Sequence, residues 1–326
     1  MSAKRILWLG MFSEKVKEII KEEVPEGFSI DFISSKTDRE EHLRLIKEAD
    51  YVSPSDFKIP DDYIFAAKNL KLIQTWGAGT NNMNKELLKQ QGIALQNSVG
   101  FNAQAVAEMA ILHMLAVNRQ LPMVDRSVRD GKWINTSLRE ANHSIEGMTI
   151  GLLGMGNIGR YVAKYAYGLD AGKVLYYDIR RLSSEEERER GVEFRSMEDI
   201  LKESDIVSIH MPLTESTKGL LNREKLSMMR PSAILINTAR GAIVDEEALY
   251  DALKNRSLRG AGLDTFDSEP PKPDNPLFEL DNVVLTCHVG GAVVENIRPR
   301  VRHVYEEIVK FENGGQAEPK YAAFFG

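Results

Sequence analysis

The chain reads as an α/β protein of two doubly wound, parallel-sheet domains. Three observations carry this. Short apolar runs alternate with amphipathic helical stretches, twice over. A glycine-rich turn follows the first strand of the second series. Polar or glycine residues then stand at one strand end after another in that series. A length of 326 residues also favours two domains over one.

In the first hundred residues the strand-like runs are Arg5–Leu9, Phe28–Ile33, Lys71–Trp76 and Ile93–Gln96. Helical patterns such as Ser13–Glu23 and Arg39–Ala49 lie between them. Apolar runs separated by amphipathic helices imply a parallel sheet covered on both faces. A long helix is expected over Ala103–Asn118. The alternation restarts at Met148, with strands at Thr149–Leu153, Val174–Tyr177, Asp205–Ile209, Ala233–Asn237, Gly260–Leu263 and Val283–Cys287. Six strands with helices between them make one doubly wound unit. The last helix, Val293–Phe311, is long enough to return to the first unit. The expected division is therefore 1–100 with 292–326 as one domain and 101–291 as the other. The mixed-charge run Glu185–Arg190 reads as a solvated helix face.

Composition narrows the function. Apolar content of 43% and charged content of 28% suit a soluble globular enzyme. A net charge of −6 argues against a nucleic-acid footprint, which needs a basic patch. One cysteine, Cys287, excludes an internal disulfide framework and suits a reducing compartment, so cytoplasm is the expected location. The apolar start Ile6–Phe12 is too short to span a membrane and reads as a buried strand rather than a signal peptide. His42, His113, His143 and His303 show no metal-ligand spacing, and no metal is expected.

Gly154, Gly156 and Gly159 form a G-x-G-x-x-G match between a strand and a helix, with Asp178 ending the next strand. Gly154 makes the tight turn, Gly156 lets a pyrophosphate approach the backbone, and Gly159 lets helix and strand pack closely. The free N–H groups of the helix start, at Asn157 and Ile158, favour phosphate charge. Asp178 is placed to accept from ribose hydroxyls and to repel a 2′-phosphate, which favours NAD over NADP. Arg180 and Arg181 stand close enough to receive such a phosphate and leave NADP as the lesser option.

The second unit's strand ends carry Gly154, Asp178, His210, Arg240, Asp264 and His288. Ligands of open α/β sheets bind outside the carboxyl ends of the strands. Arg240 offers a planar fork for a carboxylate and stabilises charge on a carbonyl oxygen. His288 can give or take a proton near neutrality. Glu269, if it reaches that imidazole, raises its pKa and fixes its orientation. Singly, each has a structural explanation: a surface arginine, a turn residue before Pro270-Pro271, a satisfied core histidine. Together, beside a dinucleotide loop, they describe reduction of a 2-keto acid. Adjacent residues of a strand face opposite sides, so Cys287 is expected to be a buried structural thiol rather than a partner of His288.

These segments resemble the D-isomer-specific 2-hydroxyacid dehydrogenases, over about residues 70 to 295. Gly151–Gly159 looks like that family's nucleotide loop and His210-Met211-Pro212-Leu213-Thr214 like its adenine-side segment. Asn237–Gly241, Leu263–Pro270 and His288–Gly291 are similar to the segments carrying its arginine, glutamate and histidine. The resemblance implies a flavodoxin-like substrate domain and a Rossmann NAD-binding domain with a cleft between them, and a homodimer built from the NAD-binding domains. It implies Arg240, Glu269 and His288 as the catalytic set. It adds His210, Pro212, Thr217, Thr238, Ala239, Asp264, His288 and Gly290 to the cofactor contacts, with Asp264 at the carboxamide end of the nicotinamide. Gly77, Ala78 and Gly79, with Trp76 before them, resemble the loop that receives the substrate carboxylate, together with Arg240 and His288.

Departures cluster near the substrate. Asn81 and Asn84 stand where acidic residues are frequent, Thr75 and Trp76 where an arginine is common, and Met109 where histidine is. They point away from a phosphorylated substrate. The expected activity is interconversion of a small 2-keto acid and a D-2-hydroxy acid. An alternative is an NAD(H)-sensing, corepressor-like binding protein without turnover. A formate-type enzyme is disfavoured by Glu269.

Overall fold

The computed structural model describes residues 3–55, 57–80, 83–318 and 322–324. The chain divides into two compact units, Met1–Asn102 with Val293–Gly326, and Ala103–Ala292.

The first unit holds β1 (Lys4–Leu9), β2 (Phe28–Ile33), β3 (Tyr51–Pro54), β4 (Leu72–Gln74) and β5 (Ala94–Gln96). The second holds β6 (Thr149–Leu153), β7 (Lys173–Tyr177), β8 (Val192–Phe194), β9 (Ile206–Ile209), β10 (Ile234–Asn237), β11 (Gly260–Leu263) and β12 (Val283–Leu285). A last strand, β13 (Ala322–Phe324), returns to the first unit and pairs antiparallel with β5. Every other strand pairing among the described residues is parallel. The first sheet runs β13-β5-β4-β3-β1-β2 and the second β12-β11-β10-β9-β6-β7-β8. Without its antiparallel edge, the first has the 2-1-3-4-5 order of flavodoxin-like sheets. The second has the 3-2-1-4-5-6 order of dinucleotide-binding sheets with one strand added.

Both faces of each sheet are covered, as parallel strands require. In β10, Leu235 packs into one core cluster while Ile234 and Ile236 enter another. In β1, Leu7 and Leu9 face one cluster, and Ile6 and Trp8 face another. The helix Ile297–Glu312 belongs to the first unit, where Val301, Val304, Tyr305 and Ile308 pack in the cluster of Trp8. The helix Ser184–Arg190 buries no residue and is closed by a Ser183–Glu186 capping box, in accord with a solvated charge run.

The strands differ from the sequence reading at four places, three of them strands it lacked and one a strand end. β3 is fully buried but only four residues long, and β8 is a three-residue edge with Glu193 exposed. Neither is long enough to show a period. β13 is equally short. β12 stops at Leu285 instead of running on to Cys287. Strand alternation therefore does not govern Cys287 and His288, and that argument for separating them falls. Both side chains are exposed, so Cys287 is not the buried thiol expected, and His288 takes a left-handed φ of 56°. Among the described residues, no helix is long and apolar enough to cross a membrane.

Candidate active site

The order of the second sheet reverses between β6 and β9, and this is where open α/β sheets bind ligands. Gly154 and His210 follow these two strands directly and touch. A Cβ on Gly154, whose φ is 108°, would lie 2.7 Å from the carbonyl carbon and oxygen of His210. A Cβ on Gly159 would meet the Gly154 carbonyl oxygen at 2.2 Å. Gly156 differs: nothing lies within 4 Å of its missing Cβ. Two glycines thus allow backbone to meet backbone, while the third leaves a cradle open. Gly156 caps the helix Asn157–Gly168 without a side-chain hydrogen bond, so no side chain covers the first amides, at Asn157 and Ile158.

Asp178 accepts from the Met155 amide through Oδ2 (2.8 Å) and from the Arg180 amide through Oδ1 (2.9 Å). It therefore ties the next strand end to the glycine loop. Arg181 is engaged elsewhere: it holds Glu187 at 2.9 and 3.1 Å and lies over the Phe194 ring. The His210 imidazole has neither ring nitrogen hydrogen-bonded, and burial pushes its pKa down to about 3, so it is neutral. The Thr238 hydroxyl is likewise buried without a partner. Thr217 donates to the Pro212 carbonyl at 2.7 Å and closes the turn after His210. An open glycine cradle, uncapped helix amides and orphaned polar atoms beside them fit a dinucleotide.

Beyond β9 along the same sheet, the turns after the next three strands, β10, β11 and β12, bring Arg240, Glu269 and His288 together. Asn237 shapes the first turn: its side chain accepts from the Ala239 amide (3.0 Å) and donates to the Arg240 carbonyl (2.9 Å). The Arg240 guanidinium donates to the Ala239 carbonyl at 2.6 Å. A Cβ on Gly241 would lie 1.9 Å from the Phe266 carbonyl carbon, so glycine there lets the arginine turn lie on the glutamate turn. Glu269 accepts from the Phe266 amide through Oε1 (3.1 Å) and meets His288 Nδ1 through Oε2 (2.7 Å).

This pair sets its own charge. The Glu269 hydrogen bond raises the His288 pKa against the opposing effects of burial and Arg240. Burial alone would raise Glu269, but its bond to His288, with help from the Phe266 amide and Arg240, lowers it. Both shifts favour imidazolium beside carboxylate. His288 Nδ1 is engaged, and Nε2 remains on a side chain that is 43% exposed.

Asp264 is 1% exposed. Its Oδ1 accepts from the Thr286 hydroxyl (2.6 Å) and the Val289 amide (2.9 Å), and its Oδ2 accepts from the Gly290 amide (2.8 Å). Its carbonyl also accepts from the His288 amide at 2.8 Å. Asp264 thus holds the turn that carries His288. Thr286 and Asn237 escaped the sequence reading. Their hydroxyl and amide at the ends of apolar strands were the available signal.

In the first unit, Trp76, Gly77, Ala78 and Gly79 follow β4. The Gly77 carbonyl accepts from Thr75 Oγ1 (2.6 Å) and the Ser98 amide (3.1 Å), which fixes the loop. Trp76 packs edge-on to Trp8 and Phe12, with the Arg300 guanidinium 5.1 Å from its ring centre. Asn84 caps the helix Lys85–Gln90, so its place in the pattern has a local structural use. Asn81 lies outside the described residues.

Residues 111–290 match the family model of the D-isomer specific 2-hydroxyacid dehydrogenase, NAD binding domain. The chain belongs to the D-isomer specific 2-hydroxyacid dehydrogenase family. It is 38% identical over 284 residues to a hydroxypyruvate reductase of Thermotoga maritima, spanning 86% of this chain and 90% of that protein. It is also 38% identical over 276 residues to a glyoxylate reductase of Korarchaeum cryptofilum, spanning 83% and 82%. The crystal structure of a Thermus thermophilus protein superposes with a TM-score of 0.85 at 33% identity, covering 98% of this chain and all of that one. The protein is accordingly an NAD-dependent D-2-hydroxyacid dehydrogenase with two parallel-sheet α/β units.

A tight glycine, Gly159, and the open one, Gly156, predict different losses. Gly159→Ala is expected to cost about 1–3 kcal/mol of stability in denaturant unfolding, because backbone stands where the methyl must go. Gly156→Ala is expected to change stability by less than about 0.5 kcal/mol. It should still raise the NADH Kd about tenfold or more in a fluorescence titration, by filling the cradle. Unchanged NADH affinity in Gly156→Ala would contradict the assignment of the loop.

Proposed function

We propose that the enzyme reduces a small 2-keto acid, of the glyoxylate or hydroxypyruvate kind, to the D-2-hydroxy acid. In this reading His288 is the acid/base, Glu269 is its partner, and Arg240 binds the substrate carboxylate and carbonyl. The observation that carries it is the 2.7 Å contact between His288 Nδ1 and Glu269 Oε2. That contact leaves Nε2 to face the reacting oxygen. Bound NADH supplies the hydride to C2 of the keto acid. His288 Nε2 delivers the proton to the carbonyl oxygen, Glu269 stabilises the imidazolium until it does, and Arg240 balances the negative charge gathering on that oxygen. In the oxidative direction the same imidazole takes the proton back.

Several features support the remaining assignments. The names of the two relatives, hydroxypyruvate reductase and glyoxylate reductase, favour a short substrate. Gly77, Ala78 and Gly79 form a side-chain-poor loop suited to receiving its carboxylate on backbone N–H groups, with Trp76 as a wall. The commitment of Arg181 to Glu187 supports NAD over NADP, since it removes one candidate receiver of a 2′-phosphate. Asp264 is assigned to the nicotinamide end through the turn it holds. Gly154, Asp178, His210, Pro212, Thr217, Thr238, Ala239 and Gly290 complete the proposed cofactor surface.

A homodimer through the NAD-binding unit belongs to the same proposal. The helix Ala103–Asn118 carries one residue charged at neutral pH, Glu108, and is apolar nearly all round. Leu112 and Leu115 on it, Leu121 and Val128 on the next helix, and Trp133, at 79% exposure, present large apolar side chains to solvent. A second copy of this unit is the occupant proposed for that patch. Sedimentation equilibrium is expected to give a dimer for the wild type and to show monomer for Leu112→Glu. A monomeric wild type would refute it.

The catalytic assignment is tested by NADH oxidation over glyoxylate, hydroxypyruvate, pyruvate and branched 2-keto acids. His288→Ala is expected to lower kcat roughly 10²–10⁴-fold on every acid that the wild type turns over. A near-wild-type kcat would sink the assignment.

A further inference from the structure

The helix Ala103–Asn118 carries one buried histidine, His113, which the chemistry above does not use. Its Nε2 lies 2.9 Å from Thr286 Oγ1, the hydroxyl that donates to Asp264 Oδ1 at 2.6 Å. These contacts fix the protons. A threonine hydroxyl has one hydrogen, and here it points at the carboxylate. Toward His113 the oxygen can therefore only accept, so Nε2 bears the imidazole proton. Nδ1 is then a bare acceptor in a neutral ring, and Nδ1 is indeed buried without a partner. Burial lowers the His113 pKa and keeps the ring neutral. Room for it comes from β11: a Cβ on Gly262 would lie 2.7 Å from the His113 Cβ. One turn earlier on the same helix, Met109 sits 3.6 Å from the missing Cβ of Gly290.

The line His113–Thr286–Asp264 ends on the amides of Val289 and Gly290, the two residues after His288. His288 itself holds a left-handed backbone, which crowds the Cβ of a residue with a side chain and is rarely adopted by one. Such a conformation persists only where its surroundings determine it. We propose that His113 is a positioning residue: by donating to Thr286 it orients the hydroxyl that anchors Asp264, and so holds the turn that keeps His288 against Glu269. The proposal rests on the reading of His288 as the acid/base, but its geometry can be tested without turnover.

The test follows the imidazole resonances of the six histidines through a pH titration by NMR, with His288 identified by the signal missing from His288→Ala. In the wild type His288 is expected to titrate above the ordinary histidine value. In His113→Leu the slackened turn lets His288 part from Glu269, so its pKa falls back toward that value. His113→Gln, whose side-chain amide can donate from nearly the same place, is expected to restore it. In steady-state assays the Leu variant should lose kcat by roughly three- to tenfold, and the Gln variant should recover most of it. If His113→Leu does not fold, Thr286→Val decides, with the same fall in the His288 pKa expected. A His288 that titrates as in the wild type in the folded Leu variant, or in Thr286→Val, overturns the proposal. A His288→Ala enzyme that retains its activity overturns the acid/base reading and leaves the titration result standing.

Discussion

The hydrogen bond between His288 and Glu269 depends on backbone held elsewhere. Neither residue lies in a strand, and each sits on a turn that could place its side chain several ways. Glu269 is fixed because its other carboxylate oxygen accepts from the Phe266 amide. His288 is fixed because Asp264 accepts from the two amides that follow it and from Thr286. The carbonyl of the same aspartate takes the His288 amide. One buried carboxylate therefore converts the end of β11 into the support for the end of β12. Buried polar groups with all their bonds made rigidify a site, and a partly made network would leave it loose.

The sheet supplies what the turns cannot, a common origin. β6, β9, β10, β11 and β12 are parallel and in register, so their carboxyl ends lie along one edge. The glycine loop and His210 stand where the strand order reverses, and the arginine, glutamate and histidine turns follow along the same edge. The proposed cofactor cradle and the proposed proton donor are thus carried by one sheet. Chemistry that joins a hydride transfer to a proton transfer requires such an arrangement, because both must reach the two ends of one carbonyl bond.

What could be read in the sequence divides along physical lines. Gly154, Asp178, His210 and Asp264 were legible because apolar runs stop abruptly at them, and parallel strands buried on both faces produce such runs. Arg240 and Glu269 were legible as charges just past those ends. β8 and β13, at three residues each, are too short to show any period. The left-handed backbone of His288 was invisible because no glycine marks it, and the alternation argument at Cys287 failed with it. Thr286 and His113 are 173 residues apart, and a hydrogen bond over that separation leaves no pattern in the chain. A buried histidine in a largely apolar helix was its only trace.

In the proposed mechanism Glu269 sets the charge of His288, and the pH profile of kcat/KM reads that charge, since this ratio reports the free enzyme. If His288 is the proton donor, as proposed, reduction needs its imidazole protonated. A raised His288 pKa therefore carries activity above the ordinary histidine range, with loss as pH rises through that pKa. With NADH and the keto acid that the wild type turns over fastest, Glu269→Gln should move this alkaline limb to lower pH, because the carboxylate that favours imidazolium is gone. A limb that stays where the wild type has it would contradict the claim that this pair governs the proton.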